Sequence, residues 1–234
     1  MEYGINNLLT PSVQCIGPED LSEGASTSPW ISLADHRLGI VHILIGDLAG
    51  ATSAVTLLQA TDASGTGSKT LAFANHFQYG QKLAFTGRSA ANFSLEETIT
   101  GGTSGNTAIV KEISSDHLWI ATITGSTTWT DTETITGGTS GATASADGTG
   151  SDEDVPLKMT TTSNTFNTLA ITFKHYAIMV DDTMLDGDND FDHFQVLLAD
   201  ASASETQGVA ICNLFNPRIR AYPAISTLGT QKTD

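Results

Sequence analysis

The densest cluster of chemistry-bearing side chains in this chain is acidic. Asp181, Asp182, Asp186, Asp188, Asp190 and Asp192 put six carboxylates into twelve residues. Calcium takes about six to eight oxygen ligands, so the supply is adequate. The run Asp186-Gly187-Asp188-Asn189-Asp190 resembles the start of a calcium loop. A helix–loop–helix site needs Gly at loop position 6 and Glu at position 12. Counted from Asp186, those positions hold Phe191 and Leu197, so that motif is not met. The plainer reading is a solvated acidic loop between strands. A structural calcium on Asp186, Asp188, Asp190 and Asp192 is the weaker candidate, and no other cofactor is expected.

Other chemistries find less. The six histidines, His36, His42, His76, His117, His175 and His193, form neither HExxH nor a Cys/His zinc spacing. His42 and His175 lie inside strand-like runs and read as residues of a strand face. GxSxG is absent, so no serine nucleophile is presented. Gly65 to Thr70 ends in Gly-Ser-Lys-Thr, but the spacing of a phosphate loop is not met and no helix follows. Trp119 and Trp129 are candidates for stacking on a glycan, against the plainer reading that both fill a small core. The sequence therefore predicts no enzyme. Cys212, in the apolar run Val209 to Cys212, reads as a buried thiol. Cys15 lies in a segment bounded by Pro and Gly and reads as inert, with a Cys15–Cys212 bridge as the alternative.

The elements that must carry these residues are strands. The 234 residues include 34 threonines and 22 glycines, with only 15% charged. Thr favours strands and Gly opens turns, so the composition is that of an all-β protein. Ten basic residues against 26 acidic ones give a net charge of −16. No basic patch for nucleic acid is available. No stretch approaches 18 apolar residues, so no membrane helix is predicted. Met1 to Asn6 shows no basic or apolar leader pattern, so no secretory signal is read.

Along the chain, residues 1–29 read as an extended arm that either packs over its own domain or reaches a neighbour, because Pro11, Gly17, Pro18, Gly24 and Pro29 interrupt any period. Residues 30–90 carry strands at 40–46, 53–60 and from 70. Residues 91–150 hold an internal repeat: Glu97-Thr98-Ile99-Thr100-Gly101-Gly102-Thr103-Ser104-Gly105 recurs 36 residues later as Glu133 to Gly141. Each copy reads as strand, Gly-Gly turn, strand, and His117 to Ile123 supplies another strand between them. Two copies are too few for a solenoid. The segment reads as a compact β-module, with Phe93, Ile99, Ile135, Trp119 and Trp129 as its core, inserted between two halves of a larger domain. Residues 142–154 read as a linker. Strands resume at 169–173, 176–180, 194–199 and 207–212, completing the second half over 151–234.

The repeat, from Phe93 through Ala108, resembles a β-module of virion structural proteins of tailed bacteriophages. The stretch Ala54 to Lys69 is similar to a second phage-associated pattern. Late strands like Phe191–Leu198 and Gly208–Leu214, followed by a turn like Arg218-Ile219-Arg220, accompany it. The resemblance implies a head decoration, or cement, protein that binds the outside of the capsid and bridges capsomers. Its partners would be the major capsid protein and further copies of itself, often as a trimer. It would be made in the host cytoplasm and end on the virion surface. A tail, collar or fibre component is the alternative, and a glycan-binding host-recognition module the more distant one. The implied fold is a jelly-roll-like β-sandwich interrupted by the inserted module, with the N-terminal arm, including Pro11 and Cys15, clamping a neighbour. Arg218 and Arg220 are expected to pair with carboxylates at an interface.

Overall fold

The computed structural model describes residues 12–46, 53–125, 128–160, 164–168, 174–201 and 207–217. In chain order the strands are β1 (Ser12–Asp20), β2 (Ser26–Thr27), β3 (Ile31–Ser32), β4 (His36–Ile45), β5 (Ala54–Ala60), β6 (Lys69–Thr70), β7 (Asn75–Thr86), β8 (Thr98–Gly101), β9 (Thr107–Ile113), β10 (His117–Thr124), β11 (Thr134–Gly137), β12 (Thr143–Ala146), β13 (Ser151–Thr160), β14 (Thr165–Asn167), β15 (Lys174–Asp181), β16 (His193–Leu198) and β17 (Gln207–Pro217). Two short 3-10 turns, Asp182–Met184 and Gly187–Asn189, are the helical elements among the described residues. The protein is all-β, with two antiparallel sheets in a sandwich-like arrangement.

The larger sheet runs β1-β17-β4-β15-β7, and the smaller one β14-β5-β16-β2. Their facing sides share one core, in which Val41, Ile43, Leu57, Tyr176, Ile178, Phe194, Val196 and Cys212 are buried. Strand β5 alternates as the period of two demands, with Val55 and Leu57 inward and Thr56 and Leu58 less buried.

Strand β7 continues out of this sandwich. Its first half lies between β15 and β13, and its second half between β10 and β12. From there the pairing runs β7-β10-β9-β8-β11-β12 and returns to β7, so the six strands close a ring of pairings. The ring has its own core, which includes Leu83, Phe85, Phe93, Ile99, Leu118, Ile120, Trp129 and Ile135. Gly80 marks the passage between the two regions. A Cβ there would lie 2.1 Å from Leu157 Cδ1, so only glycine lets β13 pack this closely.

The repeat explains the ring's symmetry. β8 and β11 pair antiparallel with Thr100 opposite Thr136, so the two copies are related by a local two-fold axis. Each glutamate then reaches the turn of the other copy. Glu97 accepts hydrogen bonds from the Ser140 and Thr139 N–H groups and the Ser140 hydroxyl, at 2.9, 3.1 and 2.8 Å. Glu133 accepts from the Ser104 and Thr103 N–H groups at 2.9 and 3.0 Å, and from the Ser104 hydroxyl. Ser94 N–H and Thr130 N–H close the two carboxylates from behind. Gly101 and Gly137 are required here, because a Cβ would press on the partner glutamate at 2.5 and 2.8 Å.

Two expectations change. Residues 12–20, read as part of an extended arm clamping a neighbour, pack over their own domain instead: they form edge strand β1 on β17, and Leu21 is fully buried. The Gly17-Pro18 pair is absorbed by irregular register between Ile16 and Glu19, where an edge strand tolerates proline. Residues 142–154 are no linker, since β12 and the start of β13 occupy them. The expected strand at 169–173 lies outside the described residues.

Candidate functional site

The acidic segment folds as a scaffolded loop. Asp181 accepts from the Thr183 N–H and hydroxyl at 2.9 and 2.7 Å and so caps the first 3-10 turn. The Thr183 contacts hold its carboxyl below the usual range. Asp186 pairs with Lys69 and accepts from Asn189 at 2.9 Å, while its own N–H donates to Gln59. Asp192 pairs with His193. With Asp186 and Asp192 engaged in this way, the loop does not gather Asp186, Asp188, Asp190 and Asp192 into a cage. Among the described residues no three His, Cys, Asp or Glu side chains come together to hold a metal.

The two tryptophans separate. Trp129 is 1% exposed in the ring core and donates its indole N–H to Gln81 at 3.3 Å, so neither ring face is open to a sugar. This corrects its candidacy as a glycan contact. Trp119 is half-buried, packs against Leu157 and Met159, and meets His117 edge-on at 5.6 Å. Cys15, expected at an interface, faces inward and lies beside Cys212 in the sandwich core. The Cys15 thiol bonded to it and its own burial push the Cys212 thiol up, so it stays protonated. Cys15 therefore presents nothing to a partner. Pro11, Arg218 and Arg220 lie outside the described residues.

The feature that stands out was missed at the sequence level: the outer face of the larger sheet. Register places Phe77, Ala177, His42 and Ile211 side by side across β7, β15, β4 and β17. A neighbouring row holds Tyr79, His175, Leu44 and Val209, with the Tyr79 and His175 rings stacked 3.9 Å apart. Beyond His42 come Met179 with Ile40, and then Leu38 with Phe215. Leu44, Met179 and Ile211 are 44%, 42% and 38% exposed. These three and Leu95, in the loop before β8, are the large apolar side chains that stand exposed among the described residues.

Two grooves bound the face. One of about 740 Å³ is lined by Leu38, Phe77, Met179, Met184, Lys158 and Asp181. The other, of about 270 Å³, is lined by Pro18, Leu44, His175 and Val209. At the centre His42 Nδ1 and His175 Nε2 share a hydrogen bond of 3.1 Å. Burial lowers the pKa of His42 and so favours its neutral form. Chemically the face offers apolar contact around a hydrogen-bonded histidine pair. The available sequence signal was the lack of alternation: β4, β15 and β17 are apolar on both sides, the pattern of strands covered on both faces.

No family model, curated protein or solved structure matches this chain. Its function is therefore argued from the geometry and from the resemblance carried by its motifs.

Proposed function

We propose that this chain is a structural virion protein of a tailed bacteriophage that binds the outside of the capsid and bridges capsomers. The observation that carries the reading is the open apolar face of the larger sheet on a chain of net charge −16. A contiguous apolar area of this kind marks an interaction surface. The repeat-bearing ring and the stretch 54–69 supply the resemblance to virion components. A strongly acidic chain suits the outer side of a shell, away from packaged nucleic acid. The jelly-roll reading of the sandwich belongs to the same proposal. Its support is that β4 pairs with β17, the last strand, while β5 pairs with the penultimate β16. A hairpin rolled up on itself nests strands in this way.

The test is to mix purified chain with empty, expanded capsids, sediment the particles and image them by electron cryo-microscopy. Saturable binding at a fixed number of copies per capsomer, with density on the outer shell, is the expected result. Absence from the shell with density at the tail or collar would move the role to that assembly. Failure to bind any part of the particle would overturn the proposal.

A further inference from the structure

We infer that the outer face of the larger sheet is where a second copy of this chain packs. The inference rests on the reading of the chain as an assembling structural subunit, and it names the occupant of that subunit's open face.

Charge selects the occupant. Two copies that each carry −16 repel wherever their acidic surfaces meet. The outer face is where they can approach without setting carboxylates together. Its central positions Leu44, Met179 and Ile211 are apolar, and burial favours the neutral form of His42. Lys158 and Asp181 line the larger groove with opposite signs, and Lys174, 5% exposed, lines the smaller one, so the face adds no excess of negative charge. A basic partner would gain more from the acidic loop at 181–192 than from a neutral sheet. An identical acidic chain gains most from the neutral sheet.

Size agrees. Strands about 4.8 Å apart, with residues advancing about 3.4 Å, make the face from β13 to β17 roughly 20 Å by 20 Å between backbone centres. Side-chain relief and the two grooves raise the accessible area toward the ~800 Å² per partner of a stable interface. The exposed Leu44, Met179 and Ile211 would be the buried anchors, with the hydrogen-bonded His42–His175 pair between them.

Sedimentation velocity of the full chain from about 1 to 100 µM tests this. The wild type should associate reversibly. Ile211→Asp and Met179→Asp, made separately, should each weaken association at least tenfold with circular dichroism unchanged. Leu95→Asp, at a residue 60% exposed but remote from the face, should leave it unchanged. Raising the salt from about 20 to 500 mM should tighten association, because it screens the repulsion of like-charged copies. A wild type monomeric at 100 µM, face variants of unchanged mass, an equal loss in Leu95→Asp, or loosening by salt would each overturn the inference. Capsid binding is read separately. A monomer that still coats capsids would sink this inference and leave the proposed function standing, and an oligomer that ignores every part of the particle would do the reverse.

Discussion

The ring of β7 to β12 and the outer face of the sandwich treat their surfaces in opposite ways. In the ring, strand pairing closes, Trp129 is enclosed, and the buried carboxylates of Glu97 and Glu133 each collect backbone and hydroxyl donors from two turns. On the sandwich, one side of the larger sheet is sealed by the smaller sheet, while the other leaves Leu44, Met179 and Ile211 in water. The ring is a finished object whose own sequence satisfies it. The sandwich is finished on one side only. If the open face is the assembly surface proposed above, substitutions in the ring and on the face should separate folding from assembly.

The largest effect should come from Trp129→Ala. It empties an enclosed indole site and leaves Gln81 without its N–H partner. A loss of about 3–5 kcal/mol is expected in urea unfolding monitored through the ring. Glu97→Ala comes next. It strips the buried Glu97 from the Ser94, Thr139 and Ser140 donors and leaves three part-buried N–H groups without its carboxylate. About 3 kcal/mol is expected, with Glu133→Ala equal to it because of the local two-fold axis. If the two glutamate variants differed by more than a factor of ten in folding constant, the paired-clasp account would fail.

Much of this was legible in the sequence, for identifiable reasons. The exact recurrence of Glu97–Gly105 at Glu133–Gly141 announced two equivalent strand–turn–strand units. What it could not announce was the swap, in which each glutamate serves the other copy's turn, because that depends on the Thr100–Thr136 register. β7 was not read as a strand: Gly80 interrupts it and the buried Gln78 and Gln81 blur its alternation. Yet β7 is the strand that joins ring to sandwich. β1 was hidden by Gly17-Pro18, which an edge can absorb and a central strand cannot. The apolar face was written in β4, β15 and β17, but a run apolar on both sides cannot by itself say which side stays open.

Acid should divide the two regions again. His76 stacks on Phe166 at 3.8 Å in the sandwich, and burial, aided by the charge of Lys111, lowers its pKa to about 4. The unfolded chain takes up this proton near pH 6.5, whereas the folded chain resists it until about 4. Stability is therefore full above 6.5 and falls as the pH drops toward 4, by about 2–3 kcal/mol. Glu97 behaves differently. Burial pushes its pKa up, but the Ser140, Ser94 and Thr139 donors outweigh that and hold it below its ordinary 4.5. Its contribution is complete above 4.5 and is lost only as the pH falls below that. His76→Phe should flatten stability between pH 6.5 and 4, while Glu97→Gln should change the profile only below pH 4.5. Stability curves at half-unit pH steps check both, and a slope above pH 4.5 that survives His76→Phe would remove His76 as its source.

The smallest expected effect is the one that most sharpens the contrast. Leu44→Lys changes an apolar side chain in the middle of a strand to a charged one, a substitution that a covered sheet would not tolerate. On β4, however, Leu44 stands 44% exposed while Ile43 and Ile45 on either side are buried. A lysine there keeps its stem along the sheet and its ammonium in water. The isolated chain should lose no more than about 0.5 kcal/mol, as for a surface position. Measured at about 1 µM, where association is weakest, the denaturation midpoint should hardly move, and the same variant at 100 µM should lose any stability that wild type gains from concentration. A loss above about 2 kcal/mol at the lower concentration would mean that Leu44 is covered within a single chain. The outer face would then be as finished as the ring.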